Sequence, residues 1–168
     1  MKVLKKIIFI VVLVSISIGL LFVGSGYDMY KKAIEETSIE DKIAEIKSKE
    51  NYTKISELPQ MYKNAVISVE DHRFYKHNGI DIIAIGRAAF NDIKAMSFVE
   101  GGSTITQQIA KNIYFTQEKK IERKIAEVFM AFKIEKNCDK DEILELYLNT
   151  SYFGDGYDTP KEACKGYF

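Results

Sequence analysis

The hydrophobic positions of the chain begin with one long, uninterrupted apolar run. Residues 7–24 contain no charged side chain, and they follow Lys2, Lys5 and Lys6. As a helix rising about 1.5 Å per residue, this run would span roughly 27 Å, close to the ~30 Å hydrocarbon thickness of a bilayer. The pattern predicts a transmembrane anchor at 7–24. A cleaved signal peptide is the alternative, but the run is long and no A-x-A-like cleavage site follows it.

The segment that follows the predicted anchor is rich in Lys and Glu. Between residues 25 and 54, Ile34, Ile39, Ile43 and Ile46 recur irregularly on a helical period. This pattern predicts a helical stalk, which acts as a spacer at the membrane surface or is simply a solvated helix.

From residue 55 to 168 the apolar positions recur with helical spacing, and capping signals separate them. An apolar face runs from Leu58 to Val69, with Pro59 suited to a first helical turn. Further helices are predicted after Asp81 (apolar side Ile82, Ile85, Ala89, Ile93), after the Thr104/Gln107 capping box, from Glu118 (buried stripe Ile121, Ile125, Val128, Phe129, Phe132), after the Asp139/Glu142 capping box, and after Thr159. With only two prolines in the chain, the pattern predicts one mainly α domain at 55–168.

Composition narrows the function classes. Lys plus Arg equals Asp plus Glu at 24 each, so the basic footprint of a nucleic-acid-binding protein is missing and no nucleic-acid partner is expected. Cys138 and Cys164 lack metal-ligand spacing and are interpreted as buried, small apolar residues, with a disulfide between them as the alternative.

A dense cluster of polar residues ends the first helix of the predicted domain, in the string VEDHRFYKHNG at 69–79. Glu70 directly follows an apolar helix face, so we expect partial burial, which would suit it to proton transfer. Capping and surface ion pairs use the same residue types and remain an alternative. His77 is more consistent with a structural, hydrogen-bonded histidine before the glycine turn than with a metal ligand.

Two further strings contain candidate anion-binding residues. The segment GGSTITQQ at 101–108 leads into a helix N-terminus, where free N–H groups favour phosphate, and Lys111 follows two turns after Thr104. Glycine pairs also occur in ordinary loops. Lys119, Arg123 and Glu127 are spaced along one helix face, as in a substrate site or in a plain surface salt-bridge ladder.

Together, the strings E-D-x-x-F-x-x-H-x-G, GGSTITQQ and R-K-x-x-E, in this order and spacing, resemble the glycosyltransferase domain of family 51. That domain occurs in class A penicillin-binding proteins and in monofunctional peptidoglycan glycosyltransferases. The similarity continues through KDEILELYLN at 140–149 and YFG at 152–154. It covers roughly Leu58 to Phe168, and the monofunctional type is the more similar because the chain has no room for a transpeptidase.

The resemblance implies a lysozyme-like helical fold and inverting synthesis of β-1,4 glycan strands from lipid II, with release of polyprenyl pyrophosphate. It implies that Glu70 is the general base on the acceptor hydroxyl, and that Glu127 positions substrate or helps to bind a divalent ion, Mg²⁺ or Mn²⁺. No organic cofactor is implied. Substrate-binding positions carried over from the family are Asp71, Phe74, His77, Ser103, Thr104, Gln107, Gln108, Lys111, Arg123 and Lys124.

The expected location is the bacterial cytoplasmic membrane, crossed once. Positive charge before the apolar run predicts residues 1–6 as a cytoplasmic tail, with the catalytic domain outside. Expected partners are lipid II, the growing glycan strand, the membrane itself and other cell-wall synthesis proteins. Because family domains continue past the position of Phe168, we expect the C-terminal part of the fold to be missing here. An inactive relative that binds lipid II or partner proteins, and a glycoside hydrolase, are therefore alternatives.

Overall fold

The computed structural model describes residues 2–116, 118 and 120–168. Within these ranges the chain is helical and contains no strand. The α-helices are α1 (Lys2–Glu36), α2 (Ile39–Lys47), α3 (Gln60–Glu70), α4 (Ile82–Ala95), α5 (Ile105–Tyr114), α6 (Ile121–Asn137), α7 (Lys140–Leu148) and α8 (Pro160–Tyr167). Short 3-10 turns occupy Ile55–Glu57 and Phe74–Lys76. The predicted mainly α class is confirmed.

The N-terminal helix α1 runs without a break through the apolar run and beyond it. It has 35 residues, and at about 1.5 Å per residue its length of roughly 52 Å exceeds the ~30 Å of a hydrocarbon layer. Among the described residues, it is the one helix that is long and apolar enough to cross a membrane. Its N-terminal part therefore fits the predicted anchor, and the whole helix is longer than a single membrane span requires.

The C-terminal part of α1 packs against α6. Gly26 is buried at this crossing, and the rings of Tyr27 and Phe129 meet edge to face, with centroids 5.2 Å apart. The ring of Tyr30 lies 5.9 Å from that of Phe129. Aromatic pairs in this geometry stabilise a contact by about 0.5–1.5 kcal/mol beyond their buried area. The anchor helix is thus joined to the domain by side-chain packing as well as by chain connectivity.

The predicted stalk at 25–54 is not a separate solvated spacer. Ile39 and Ile46 on α2 are only 2% and 4% exposed and belong to the main hydrophobic core. The irregular isoleucine spacing reflects a short helix that turns back onto the domain after Ser38, whose side chain caps α2. No packing boundary therefore separates 25–54 from the domain predicted to begin at residue 55.

The core is centred on α5, which contacts both α6 and α7. The side chains that fill it from these three helices are fully buried, and they are chiefly Ile105, Ile109, Met130, Ile134, Ile143, Leu144, Leu146 and Leu148. Each such aliphatic side chain contributes about 1.5–3 kcal/mol through burial. The segments that carry the candidate site therefore flank a well-buried core.

Helix α4 begins as predicted but does not bury its predicted apolar side. The Asp81 carboxylate accepts hydrogen bonds from the N–H groups of Ile83 and Ala84. Ile82 and Ile93, however, are 75% and 77% exposed, and Ala88 is the residue of α4 that is buried. No element in the described part of the chain covers this side. The amphipathic spacing therefore predicted the helix correctly, but it did not predict that its apolar side would stay exposed.

We expect Asp81→Ala to lower the free energy of unfolding by about 1–2 kcal/mol, because both capped N–H groups of α4 lose their acceptor. Asp81→Asn is the matched variant, since asparagine caps equally well and loses only the ion pair with Arg73. Denaturant unfolding in detergent, followed by circular dichroism, measures both. Equal losses in the two variants would contradict the capping role.

Candidate active site

The carboxylate of Glu70 lies where three helices meet. Glu70 is the last residue of α3, and its carboxylate accepts a 2.9 Å hydrogen bond from the side-chain amide of Gln108 on α5. The hydroxyl of Tyr147 on α7 lies 3.4 Å from the Gln108 Oε1 atom. Burial, together with the nearby Glu70 carboxylate, raises the pKa of Tyr147 to about 12. Contrary to the expected partial burial, Glu70 itself is exposed and accessible to a substrate.

Two cavities of different character meet at Glu70. One, of about 350 Å³, lies between α3 and α7 and includes Val66, Val69 and Leu148 in its mostly apolar lining. The other, of about 220 Å³, is polar and is lined by Arg87, Glu100 and the 101–104 segment, among others. Glu70 contributes to the walls of both. The carboxylate therefore faces the boundary between two sites that could each receive part of a bound molecule.

The next residue, Asp71, is turned into the protein. Its side chain is 4% exposed and lies 2.9 Å from the Nε2 atom of His77, which is 5% exposed. It also accepts a 3.1 Å hydrogen bond from the N–H of Ile105, the first residue of α5. Because a carboxylate only accepts, the Nε2 atom facing it carries the proton. Asp71 thus joins the end of α3 to the start of α5.

Three residues of the predicted substrate-binding set have buried side chains that pack or bond within the protein. Phe74 is 0% exposed and belongs to the core, and Asp71 and His77 bond to the protein itself. Asp71 also forms part of the wall of the polar cavity beside Glu70. The contact of these three residues with a substrate stays a prediction, and the structure shows that each of them also shapes the site from within.

Thr104 and Gln107 form the predicted capping box, with each side chain bonded to the backbone of the other residue. The Thr104 hydroxyl also donates a 2.6 Å hydrogen bond to the carbonyl of Gly79. Both residues are 2% exposed, although Thr104 forms part of the wall of the polar cavity, and their role in substrate binding stays a prediction. They hold the 101–108 segment in place, which leaves Ser103 and Gln108 as its accessible polar side chains.

Helix α6 carries a cluster of cations around a buried carboxylate. Glu127 is 0% exposed and is paired with Arg123 through one oxygen and with Lys124, at 2.7 Å, through the other. The Lys124 ammonium also donates a 2.6 Å hydrogen bond to the hydroxyl of Ser103. A buried carboxylate of this kind is not part of a surface salt-bridge ladder. Lys119, the third residue of the predicted ladder, lies outside the described residues.

The charge balance of this cluster favours an anion. Desolvation, and then repulsion from Arg123 and Lys111, lowers the pKa of Lys124 to about 8, while its contact with Glu127 favours the charged form. One buried carboxylate thus accompanies three neighbouring cations. An anion beside Ser103 would relieve their mutual repulsion, and the predicted cationic residues Lys111, Arg123 and Lys124 are brought together in this region.

Arg87 is a site residue that the motif analysis missed. Its guanidinium Nε atom donates a 2.6 Å hydrogen bond to Glu100, which Asn91 also contacts. The side chain lies in the wall of the polar cavity beside Glu70. The one available signal was that Arg87 is the single charged residue in the apolar stretch from Ile82 to Phe90.

The described residues do not fit a dedicated metal cage. Among them, no group of three or more His, Cys, Asp or Glu side chains converges on one point. Both oxygens of Glu127, the predicted contributor to an ion site, already contact cationic side chains. Because Mg²⁺ is commonly held by one or two carboxylates together with substrate phosphates, the divalent ion stays a prediction.

We expect Asp71→Ala to lower the free energy of unfolding by about 2–6 kcal/mol, because two buried donors lose their acceptor at about 1–3 kcal/mol each. Asp141→Ala is the matched control, since Asp141 is exposed on α7 and should change stability by about 0.5 kcal/mol or less. Denaturant titration of both variants in detergent gives the comparison. Similar losses would show that Asp71 does not join the two helices as described.

Comparison with known proteins extends these observations. The chain is 50% identical over 114 residues to penicillin-binding protein 1F of Bacillus subtilis, covering 68% of this chain and 16% of that protein. It is 44% identical over 128 residues to a monofunctional glycosyltransferase of Staphylococcus saprophyticus, covering 76% and 47%. Penicillin-binding protein 1A of Aquifex aeolicus is 47% identical over 117 residues, covering 70% and 16%. The chain thus spans less than half the length of these curated relatives.

The family model described as Transglycosylase matches residues 38–168. The match begins inside the segment predicted as a stalk, at Ser38, whose side chain caps α2. This agrees with the packing of α2 into the core. By the extent of this match and the identity of its relatives, the chain belongs to the transglycosylase family, and its helical domain has that family's lysozyme-like fold.

Proposed function

We propose that this protein is a peptidoglycan glycosyltransferase, which polymerises lipid II into β-1,4 glycan strands and releases polyprenyl pyrophosphate. The observation that carries the proposal is the exposed Glu70 carboxylate at the meeting point of two cavities, with the cationic cluster of α6 bonded to Ser103 on the wall of one of them. Family membership and relatives that include monofunctional glycosyltransferases support the same reaction.

Glu70 acts as the general base. Its carboxylate accepts the proton of the acceptor's 4-hydroxyl while that oxygen attacks the anomeric carbon of the donor sugar. The amide of Gln108 donates to the same carboxylate at 2.9 Å and orients it. Because the carboxylate is exposed, a substrate hydroxyl has direct access to it.

The cationic cluster stabilises the leaving group. As the new glycosidic bond forms, the bond from the anomeric carbon to the pyrophosphate oxygen breaks, and negative charge grows on the pyrophosphate. Lys124 and Arg123 are already fixed by Glu127, so little reorganisation is needed when this charge appears. Lys111 adds a third cation, and Ser103 supplies a hydroxyl donor.

The buried state of Glu127 argues against the hydrolase alternative. Glycoside hydrolysis uses two carboxyl groups that both reach the reacting sugar. Glu127 is 0% exposed and bound on both oxygens, so it is not accessible as a second acid or base. Within the proposed reaction, Glu127 holds the cations in position rather than contacting the sugar.

The proposal includes a location and partners. The apolar part of α1 crosses the cytoplasmic membrane of a bacterium once, with the lysine-flanked end inside and the domain outside, where a lipid-linked substrate reaches it. Exposed apolar side chains on and after α4, such as Phe90, Met96 and Phe98, are typical of a surface that meets lipid or another apolar partner. Other cell-wall synthesis proteins, and a divalent ion bound through substrate oxygens, are proposed from the resemblance alone.

We expect Glu70→Gln to lower the polymerisation rate by about 10²–10⁴-fold, because glutamine cannot accept the acceptor's proton. The affinity for labelled lipid II should stay close to that of the wild type. Electrophoresis of the glycan product in detergent with Mg²⁺ measures the rate, and Glu57→Gln, an exposed surface change, is the control. A wild-type rate in Glu70→Gln would overturn the assignment.

Lipid II binding without polymer in the unmodified chain would favour the inactive, lipid II-binding relative.

A second prediction concerns the cationic cluster. Lys111→Ala and Lys124→Ala should each weaken inhibition of polymerisation by inorganic pyrophosphate by about tenfold, since each removes one charge-assisted contact of about 1.5–3 kcal/mol. Lys136→Ala, at the exposed far end of α6, controls for the general loss of charge. Unchanged inhibition in both site variants would place the pyrophosphate elsewhere.

A further inference from the structure

We propose that Gly26 is a positioning residue, through which the anchor helix α1 holds the cationic cluster of α6 in its binding geometry. The inference rests on the proposed function for the identity of the bound anion. It concerns a residue of the anchor helix outside every motif identified in the sequence, and it makes the anchor part of the active-site architecture.

The helix crossing at Gly26 is too close for any side chain. A Cβ atom added there would lie 2.6 Å and 2.7 Å from side-chain atoms of Ile125, and 2.8 Å from the backbone carbonyl oxygen of Glu122. A change of rotamer could move only the Cγ2 atom of Ile125, whereas the Ile125 Cβ atom at 2.7 Å and the Glu122 carbonyl oxygen at 2.8 Å move only with the backbone of α6. By contrast, nothing lies within 4 Å of a Cβ added at Gly24. The close approach is therefore specific to one glycine of α1.

The part of α6 that meets Gly26 is the same turn that carries the cations. Arg123 and Lys124 lie between Glu122 and Ile125 in sequence, and Glu127 follows within the next turn. Contacts of 2.6–2.8 Å must lengthen to about 3.4 Å before they are ordinary, so a Cβ at Gly26 would separate the helices by roughly 0.6–0.8 Å. A rigid helix transmits that displacement directly to the cationic side chains.

The aromatic contacts beyond the crossing restrict how α1 can yield. Tyr27 and Tyr30 both pack on Phe129 of α6, with ring centroids 5.2 Å and 5.9 Å apart. These rings fix the rotation and the register of α1 directly after Gly26. A side chain at Gly26 therefore cannot be accommodated by sliding or rotating α1 alone, and the adjacent turn of α6 has to move.

The position of Gly26 along α1 gives this contact a functional meaning. It lies two residues beyond the apolar run 7–24, or about 3 Å along the helix. The turn of α6 with Arg123 and Lys124 therefore lies at the level of the bilayer surface. A pyrophosphate attached to a lipid tail is held at that same level, so a close helix crossing sets the height at which its charge is bound.

The test compares Gly26→Ala with Gly24→Ala in the full chain in detergent. Both changes replace glycine by alanine in the same helix, so they gain the same helix propensity and differ only in the α6 contact. Equilibrium dialysis with radiolabelled inorganic pyrophosphate measures binding, polymerisation of lipid II gives kcat and KM, and thermal unfolding confirms folding. Gly26→Ala should weaken pyrophosphate binding about tenfold and lower kcat by about 10–100-fold, as expected for a misplacement approaching 1 Å. Gly24→Ala should match the wild type within about twofold.

Each outcome decides the inference. Unchanged pyrophosphate binding in folded Gly26→Ala overturns it, as do equal losses in the two glycine variants or a wild-type protein that does not bind pyrophosphate. A wild-type protein that binds pyrophosphate without polymerising lipid II would contradict the proposed function, while the dialysis comparison would still test Gly26. If Gly26→Ala does not fold, Ile125→Ala is compared with Ile121→Ala, whose side chain is 60% exposed on the same helix. A loss of binding confined to Ile125→Ala supports the inference, and equal effects oppose it.

Discussion

The buried carboxylate of Asp71 joins the end of α3 to the beginning of α5, and the geometry of the site depends on that junction. Its hydrogen bonds to His77 and to the N–H of Ile105 satisfy a charge that would be costly to bury alone. Because Glu70 precedes Asp71 directly, the inward turn of one carboxylate directs its neighbour outward toward Gln108. Two adjacent acidic residues thereby acquire opposite roles, one in structure and one available to a substrate.

The 101–108 segment divides its polar side chains in the same way. Thr104 and Gln107 satisfy the backbone at the start of α5 and are buried, whereas Ser103 and Gln108 contact Lys124 and Glu70. A helix N-terminus has unpaired N–H groups that need partners. Some of the polar side chains in a segment at such a terminus therefore serve as caps. The remaining side chains connect the carboxylate of α3 to the cations of α6 across a single rigid segment.

Local rules of sequence predicted the capped helices, the apolar anchor run and the strings that line the site. Asp81, Thr104 and Asp139 each cap the helix expected of them, because capping depends only on neighbouring residues. Spacing could not show that α2 folds back into the core, that the apolar side of α4 stays exposed or that Asp71, Phe74 and His77 point inward. Those outcomes depend on contacts with distant parts of the chain, which periodicity does not record.

The burial of Glu127 between Arg123 and Lys124 is explained better by the positions it gives the two cations than by the stability it adds to the fold. A buried ion pair seldom stabilises a fold more than apolar side chains of similar volume, because desolvation offsets the attraction. Here it immobilises two flexible cations, one of which, Lys124, is bonded to Ser103 in the wall of the polar cavity. Such fixed charges act on a developing anion without first reorganising. The same turn of α6 packs against α1 at Gly26, so the position of those cations depends on the anchor helix as well as on the buried carboxylate.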